Sequence, residues 1–237
     1  MKVVVIIPAA GLGTRMAPPS PGKGKTKQFA ELNGTPVLIH TLRKFAASPA
    51  VSEIYIALRG GELSEFRNRL NQEKDILRKR IELVEGGEHR QHSVANALAR
   101  IEASPDDVVL VHDAVRPFVT DEIIEDVIDA AQKYGAAIAG MPAVDTVKQV
   151  DRTSDGAVIN TTIPRERVVM AQTPQGFRYE ILKKAFDEAA ADGFMGTDEA
   201  SLIERSGGQV AVVMGSPRNI KITTPSDMAL AEFFLKG

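Results

Sequence analysis

The chain has 237 residues, 43% hydrophobic and 25% charged, with 29 Lys and Arg against 31 Asp and Glu for a net charge of −2. This ordinary globular composition is enough for one large domain and supplies no long-range positive field for gripping nucleic acid. There is no cysteine, which excludes disulfides, thiolate metal sites and a cysteine nucleophile, and no apolar run approaches the roughly 20 residues that span a bilayer.

The first apolar run, Val3 to Pro8, is short and leads into a glycine loop rather than a signal-peptide cleavage site, so a cytoplasmic location is expected. That run predicts a strand over residues 3–7 that is apolar on both faces, as in a central parallel strand covered by helices on each side. A helix over 36–47 follows, with Thr35 as its cap and Pro36 in its first turn. Then come a strand over 53–58, a helix over 63–79, a strand over 81–84, a helix over 93–101, a strand over 108–111 and a helix over 123–134. Thr120 precedes the last of these, and Asp121 and Glu122 suit the positive end of its dipole. The alternation implies an α/β fold, a doubly wound, mostly parallel nucleotide-binding sheet flanked by helices.

From Ala136 the rhythm changes. Residues 143–150, 157–163 and 168–172 read as consecutive strands without an intervening helix, with Thr153-Ser154-Asp155-Gly156 as a turn. Residues 143–170 are therefore expected to form a β-arm on a single domain spanning residues 1–237, and its exposed strands suit dimerisation. Helices over 179–191 and 197–205, strands over 210–213 and 219–222, and a helix over 226–235 complete the chain.

The candidate chemistry begins where strand one runs into Pro8-Ala9-Ala10-Gly11-Leu12-Gly13-Thr14-Arg15-Met16. Small residues at a strand's carboxyl end let backbone N–H groups approach phosphate oxygens. By itself Gly-x-Gly also fits a tight β-to-α turn. The dinucleotide fingerprint fails, because Met16 stands where a third small residue belongs and Leu58-Arg59-Gly60 offers no acid after the second strand. A Walker loop fails as well, since Gly24-Lys25-Thr26 lacks the earlier glycine. What remains is a loop joined to a basic cluster of Arg15, Lys23, Lys25 and Lys27, of which Arg15 and Lys27 are the candidates to neutralise charge in phosphoryl transfer. Asp113 ends an apolar strand at the same rim, where a carboxylate beside a triphosphate suits Mg²⁺; capping a turn or pairing with Arg116 is the structural alternative.

The loop residues 9–16 followed by Lys27-Gln28-Phe29 resemble the signature of the cytidylyltransferases that activate 2-C-methyl-D-erythritol 4-phosphate. Further blocks resemble that family in order: Gly86 through Val94, His112-Asp113-Ala114-Val115-Arg116-Pro117, Asp145-Thr146-Val147-Lys148, Gln172 through Phe177, Thr197-Asp198-Glu199-Ala200 and Asn219-Ile220-Lys221-Ile222-Thr223. Together they extend over essentially the whole chain.

The resemblance implies transfer of CMP from CTP to the polyol phosphate, with Mg²⁺ as cofactor and Asp113 as its ligand. It assigns Ala9, Ala10, Gly11, Gly13, Gly87, Glu88, Ser93 and Ala114 to the nucleotide. Arg116, Thr146, Arg165, Thr173 and Lys221 fall to the second substrate, Thr146 and Arg165 reaching it across a homodimer interface. Arg15, Lys27, Asp113, Arg165 and Lys221 form the expected catalytic set. No nucleic acid or membrane partner is expected. His89 and His92 stand where many relatives carry acids. The nearest alternative is a ribitol 5-phosphate cytidylyltransferase. An NAD-dependent oxidoreductase is disfavoured by Met16, and a silent nucleotide-binding regulator by retention of the full charged set.

Overall fold

The computed structural model describes residues 1–11 and 26–236. In chain order the elements are β1 (Val3–Pro8), β2 (Glu31–Leu32), β3 (Thr35–Pro36), α1 (Val37–Ala47), β4 (Glu53–Leu58), α2 (Leu63–Leu70), β5 (Arg80–Glu85) and α3 (Arg90–Leu98). They continue with β6 (Val108–Val111), α4 (Asp121–Tyr134), β7 (Ala136–Pro142), β8 (Val147–Thr153), β9 (Gly156–Ile163), β10 (Val169–Arg178), α5 (Tyr179–Ala191), α6 (Glu199–Arg205), β11 (Ala211–Met214) and α7 (Pro225–Lys236).

Alternation within β1 divides the core. Val3, Val5 and Ile7 join α1, α2 and α4 residues such as Leu42, Phe66 and Ile124 on one face of the sheet. Val4 and Ile6 join Val94, Phe186 and Leu202, from α3, α5 and α6, on the other. Complete burial of a Val or Ile contributes on the order of 1.5–3 kcal/mol, so this two-sided strand anchors both layers. The seven-stranded sheet runs β11-β7-β10-β6-β1-β4-β5. Its ladders are parallel except where β10 pairs antiparallel with both β6 and β7. The chain leaves β1 toward β4 on one side and comes back to β6 on the other, so strand order reverses beside β1, where open sheets of this kind leave a ligand crevice.

Four local expectations are corrected. Thr35 caps no helix: Asn33 and Gly34 take positive φ of 50° and 75°, and Thr35-Pro36 pairs back on Glu31-Leu32 as a tight hairpin. The helix expected over 63–79 stops at Leu70 and yields to a short 3-10 turn at Ile76–Arg78. Buried Glu73 draws Arg43 at 2.6 Å and Arg69 at 2.7 Å, holding the intervening residues in a turn. The alanine-rich segment Ala136–Pro142, given no element by the sequence pattern, forms β7, and of the strand expected over 168–172, residues 169–172 belong to the long main-sheet strand β10 rather than to the arm. Residues 219–222 form no strand: Ile222 N–H donates to Val115 O at 2.9 Å and the Asn219 carbonyl accepts from Arg116, which makes this segment a wall of the crevice.

Beyond the sheet, β8 and β9 pair with each other, and most of their residues are exposed. A third, smaller core cluster of Leu32, Val37, Val115, Ile222 and Ala231 packs the β2–β3 hairpin and α7 beneath the segments that carry Asp113 and Lys221.

Candidate active site

A crevice at the reversal point is lined by Pro8, Ala9, Ala10 and Gly11 from the end of β1, by Lys27 and Gln28, by residues 87–90 with Ser93, by Asp113-Ala114-Val115 and by Lys221. The parallel ladder continues past the strand ends into its walls: Ala9 N–H donates to Ala57 O and Gly86 N–H to Leu58 O, each at 2.7 Å. Buried Gln28 donates its amide to Ala9 O at 2.7 Å and to Gly11 O at 3.3 Å, fastening the first stretch of the loop. A side chain at Gly86 would meet Ala10 Cβ at 2.5 Å and Ser93 Oγ at 2.9 Å, so the absence of one is what lets the two walls close on each other.

Ser93 does not open α3, which starts at Arg90. Its hydroxyl accepts from Gly87 N–H at 3.1 Å and donates to His89 O at 3.1 Å, shaping the Gly86-Gly87 turn. One lone pair of Ser93 Oγ is left over for a donor such as an exocyclic amine.

Asp113 follows β6 and is 7% exposed. Its Oδ2 receives Lys221 Nζ at 3.0 Å and Arg116 Nε at 3.1 Å, while its Oδ1 lies 3.5 Å from Arg90 Nε. Burial by itself raises the carboxyl pKa, but Arg90, Lys221 and Arg116 outweigh it and hold the group ionised well below the usual carboxylate range.

Beneath it lies a hydrogen-bond chain of fixed direction. His112 Nε2 is 3.0 Å from Arg116 O, a pure acceptor, so that nitrogen carries the proton. Burial lowers the imidazole pKa to about 4, leaving it neutral with Nδ1 as an acceptor. Thr173 therefore donates to Nδ1 at 3.1 Å and accepts from Asp113 N–H at 3.0 Å. In this arrangement the Thr173 proton is committed to His112, and Thr173 supports Asp113 from behind. Arg116 likewise points its charge inward, with Nη1 on Asn219 O at 2.7 Å.

Arg90 was carried unassigned by the sequence, as was Gln28. Both types suit a solvated helix face equally well, and only the fold reveals what they touch. Arg90 Nη1 reaches both oxygens of the buried Glu199 at 2.7 and 2.8 Å. Burial weakens the Arg90 charge, but Glu199 and Asp113 more than offset it and raise its pKa.

Of the sequence-predicted residues, Ala9, Ala10, Gly11, Lys27, Gly87, Glu88, Ser93, Asp113, Ala114 and Lys221 share the crevice, with Arg116 and Thr173 buried against Asp113. Gly13 and Arg15, like residues 18–24, lie outside the described residues. Thr146 and Arg165 are exposed at the base of the β8–β9 arm and do not line this crevice. Among the described residues no three His, Cys, Asp or Glu converge to hold an ion unaided. Asp113 is a single hard oxygen donor, a set that suits Mg²⁺ only when phosphate oxygens complete its shell.

Comparison with known proteins shows the family to which this fold belongs. The family model for 2-C-methyl-D-erythritol 4-phosphate cytidylyltransferase matches residues 3–237. The protein of that name from Acidobacterium capsulatum is 57% identical over 236 residues, covering 100% of this chain and 98% of the relative. The solved structure of 2-C-methyl-D-erythritol 4-phosphate cytidylyltransferase from Francisella tularensis superposes with a TM-score of 0.81 at 37% identity, covering 98% of this chain and 99% of its own. That of 4-diphosphocytidyl-2C-methyl-D-erythritol synthase from Anaerococcus prevotii gives a TM-score of 0.83 at 30% identity, covering 100% and 96%. With its crevice at the strand reversal and its whole length matched, the chain belongs to the 2-C-methyl-D-erythritol 4-phosphate cytidylyltransferase family.

Proposed function

We infer that this chain transfers CMP from CTP to 2-C-methyl-D-erythritol 4-phosphate, yielding 4-diphosphocytidyl-2-C-methyl-D-erythritol and pyrophosphate in non-mevalonate isoprenoid precursor synthesis. The observation that carries this reading is the meeting of a small-residue loop, Lys27 and the Asp113–Lys221 pair in one crevice of a chain of this family.

A phosphate oxygen of the polyol phosphate forms a bond to the α-phosphorus of CTP. The bond from that phosphorus to the bridging oxygen of the β-phosphate breaks, and pyrophosphate leaves with the electron pair. The attacking oxygen is already ionised, so no residue need remove a proton, and neutral, buried His112 is free to act as a support. Backbone N–H groups at residues 10 and 11 suit the triphosphate, while Lys27 and Arg15 are assigned to the charge that grows on leaving pyrophosphate. Lys221 is half-exposed on a flexible stem, so its Nζ can exchange Asp113 Oδ2 for a substrate phosphate oxygen. Asp113 is assigned to Mg²⁺, which when bound would neutralise triphosphate charge. Thr146 and Arg165, remote from their own crevice, are assigned to the polyol phosphate in the site of a second copy. Both substrates are small water-soluble phosphates, in keeping with a cytoplasmic setting.

Purified protein incubated with CTP, Mg²⁺ and each polyol phosphate in turn is expected to release pyrophosphate with 2-C-methyl-D-erythritol 4-phosphate. Faster release with ribitol 5-phosphate would transfer the assignment to that substrate. Lys27→Ala is expected to lower kcat by about 10²–10³-fold, the usual effect of losing one preorganised charge-stabilising group. Near-normal turnover in that variant would sink the role given to Lys27.

A further inference from the structure

The two oxygens of Asp113 are held unequally. Oδ2 takes both Lys221 and Arg116, whereas Oδ1 faces Arg90 alone among the ion pairs of the described residues, at 3.5 Å. Arg90 is in turn pinned by a buried carboxylate. Glu199 is 1% exposed at the first turn of α6, and both of its oxygens accept from Arg90 Nη1. The start of α6 is itself fixed: Asp198 accepts from Ser201 N–H at 3.0 Å, and buried Gln175 donates to Asp198 Oδ2 at 2.7 Å while accepting from Ala200 N–H at 3.2 Å. A rigid line therefore runs from β10 through α6 and Glu199 to the Arg90 guanidinium, and ends at Asp113 Oδ1.

We propose that Arg90, held by Glu199, is a positioning residue for the transfer reaction, setting the orientation of the Asp113 carboxylate from the α3 side. This rests on the function proposed above and adds residues to it. The need for such a device follows from the opposite flank. Once Lys221 turns to a substrate phosphate, Oδ2 retains Arg116 and Oδ1 retains Arg90, so the plane of the carboxylate is fixed by one guanidinium on each side. Glu199 also balances charge. Asp113 amid three cations and no second anion would be an anion site; the Glu199 charge offsets that of Arg90, so that once Lys221 turns away the carboxylate faces only the Arg116 charge unopposed. A planar fork is required at position 90, because a lysine ammonium can sit on Glu199 or on Asp113 but cannot bridge both with fixed geometry.

The test uses the full-length chain with Glu199→Gln, which keeps volume and loses charge, and Arg90→Lys, which keeps charge and loses the fork. Expected in both are a kcat lowered about 10–100-fold, as misplacement of a reacting group typically costs, KM for CTP within about threefold, and a melting temperature that leaves the protein folded at the assay temperature. Crystal structures of the two variants should show the Asp113 carboxylate turned from its wild-type orientation. A kcat within twofold of wild type, or an unmoved Asp113, overturns the proposal. So does a loss of turnover that merely follows the folded fraction. If the wild-type protein transfers no cytidylyl group, the assigned reaction fails, and the orientation of Asp113 in the variants still decides the positioning claim.

Discussion

Burial holds the His112 imidazole near a pKa of about 4, against 6.5 for an exposed histidine. The folded state therefore resists the proton that the unfolded chain accepts. The stability this group contributes is fully present above about pH 6.5 and is lost as pH falls from there toward 4. A gap of that size is worth on the order of 3 kcal/mol. His40, also lowered chiefly by burial, acts in the same direction over the upper part of that window. Asp113 adds a second loss only below its unfolded value of 3.8, because its folded pKa is depressed. Urea unfolding at pH 7, 5.5 and 4.5 should show stability declining through the first window, and the His112 ring resonances should stay those of a neutral imidazole at pH 5. A flat stability profile between pH 6.5 and 4.5, or a ring that titrates near 6.5, contradicts the fixed hydrogen-bond chain from Asp113 N–H to Arg116 O. At this scale the residue pattern disclosed the Ala9–Gly11 loop, Lys27 and Asp113, whereas Gly87, Glu88, Ser93, Ala114 and Lys221 were legible only through the family resemblance. It was silent on Arg90 and Gln28, whose partners Glu199 and Ala9 lie far off along the chain.

The junction between α4 and β7 carries a backbone constraint. Gly135 ends α4 with φ of 91° and its N–H on Ala131 O at 2.8 Å, while its carbonyl accepts from Arg178 N–H at 2.9 Å and so meets β10 at once. A Cβ at this position would lie 2.6 Å from Ile181 Cδ1, a methyl at the end of a flexible side chain that can swing aside. The backbone term thus decides, and Gly135→Ala should cost on the order of 1–2 kcal/mol in urea unfolding with kcat unchanged. A loss under about 0.5 kcal/mol would show that the turn tolerates a side chain. Thr120, which accepts from Ile123 N–H at 3.3 Å, marks the other end of α4, so caps and stops made this helix legible. The next strand was not. Ala136–Pro142 reads Ala-Ala-Ile-Ala-Gly-Met-Pro, poor in strand formers, yet a side chain at Gly140 would collide with Val169 Cγ1 at 2.4 Å and Val212 Cγ1 at 3.3 Å. Small residues are demanded there by β10 and β11, which a local pattern cannot register. The converse holds at 219–222, where a β-branched run serves a loop because Arg116 and Val115 claim its backbone.

At the scale of the molecule, the β8–β9 arm is the part that the folded chain explains least by itself. A two-stranded hairpin is marginal in water, and this one exposes Val150, Val158 and Ile159 at 43%, 61% and 60%. Thr146 and Arg165, proposed above to reach the substrate of a second copy, sit at its base away from the crevice that holds Lys27 and Lys221. If two copies exchange arms, each site combines Lys27 of one protomer with Arg165 of the other, which leads to a result that no single-chain site can give. Lys27→Ala and Arg165→Ala proteins, each nearly inactive alone, should regain turnover when mixed, unfolded and refolded together. In a mixed dimer one site loses both residues and the other keeps both. With random pairing, about a quarter of the wild-type sites are then restored. Light scattering should report dimers in every sample, and Val158→Lys with Ile159→Lys should yield folded monomers that bind CTP yet turn over at least about 100-fold more slowly, having lost the groups that orient the second substrate. Failure of the mixed sample to exceed its parents would place Arg165 in the same site as its own Lys27, and the arm would then need another explanation.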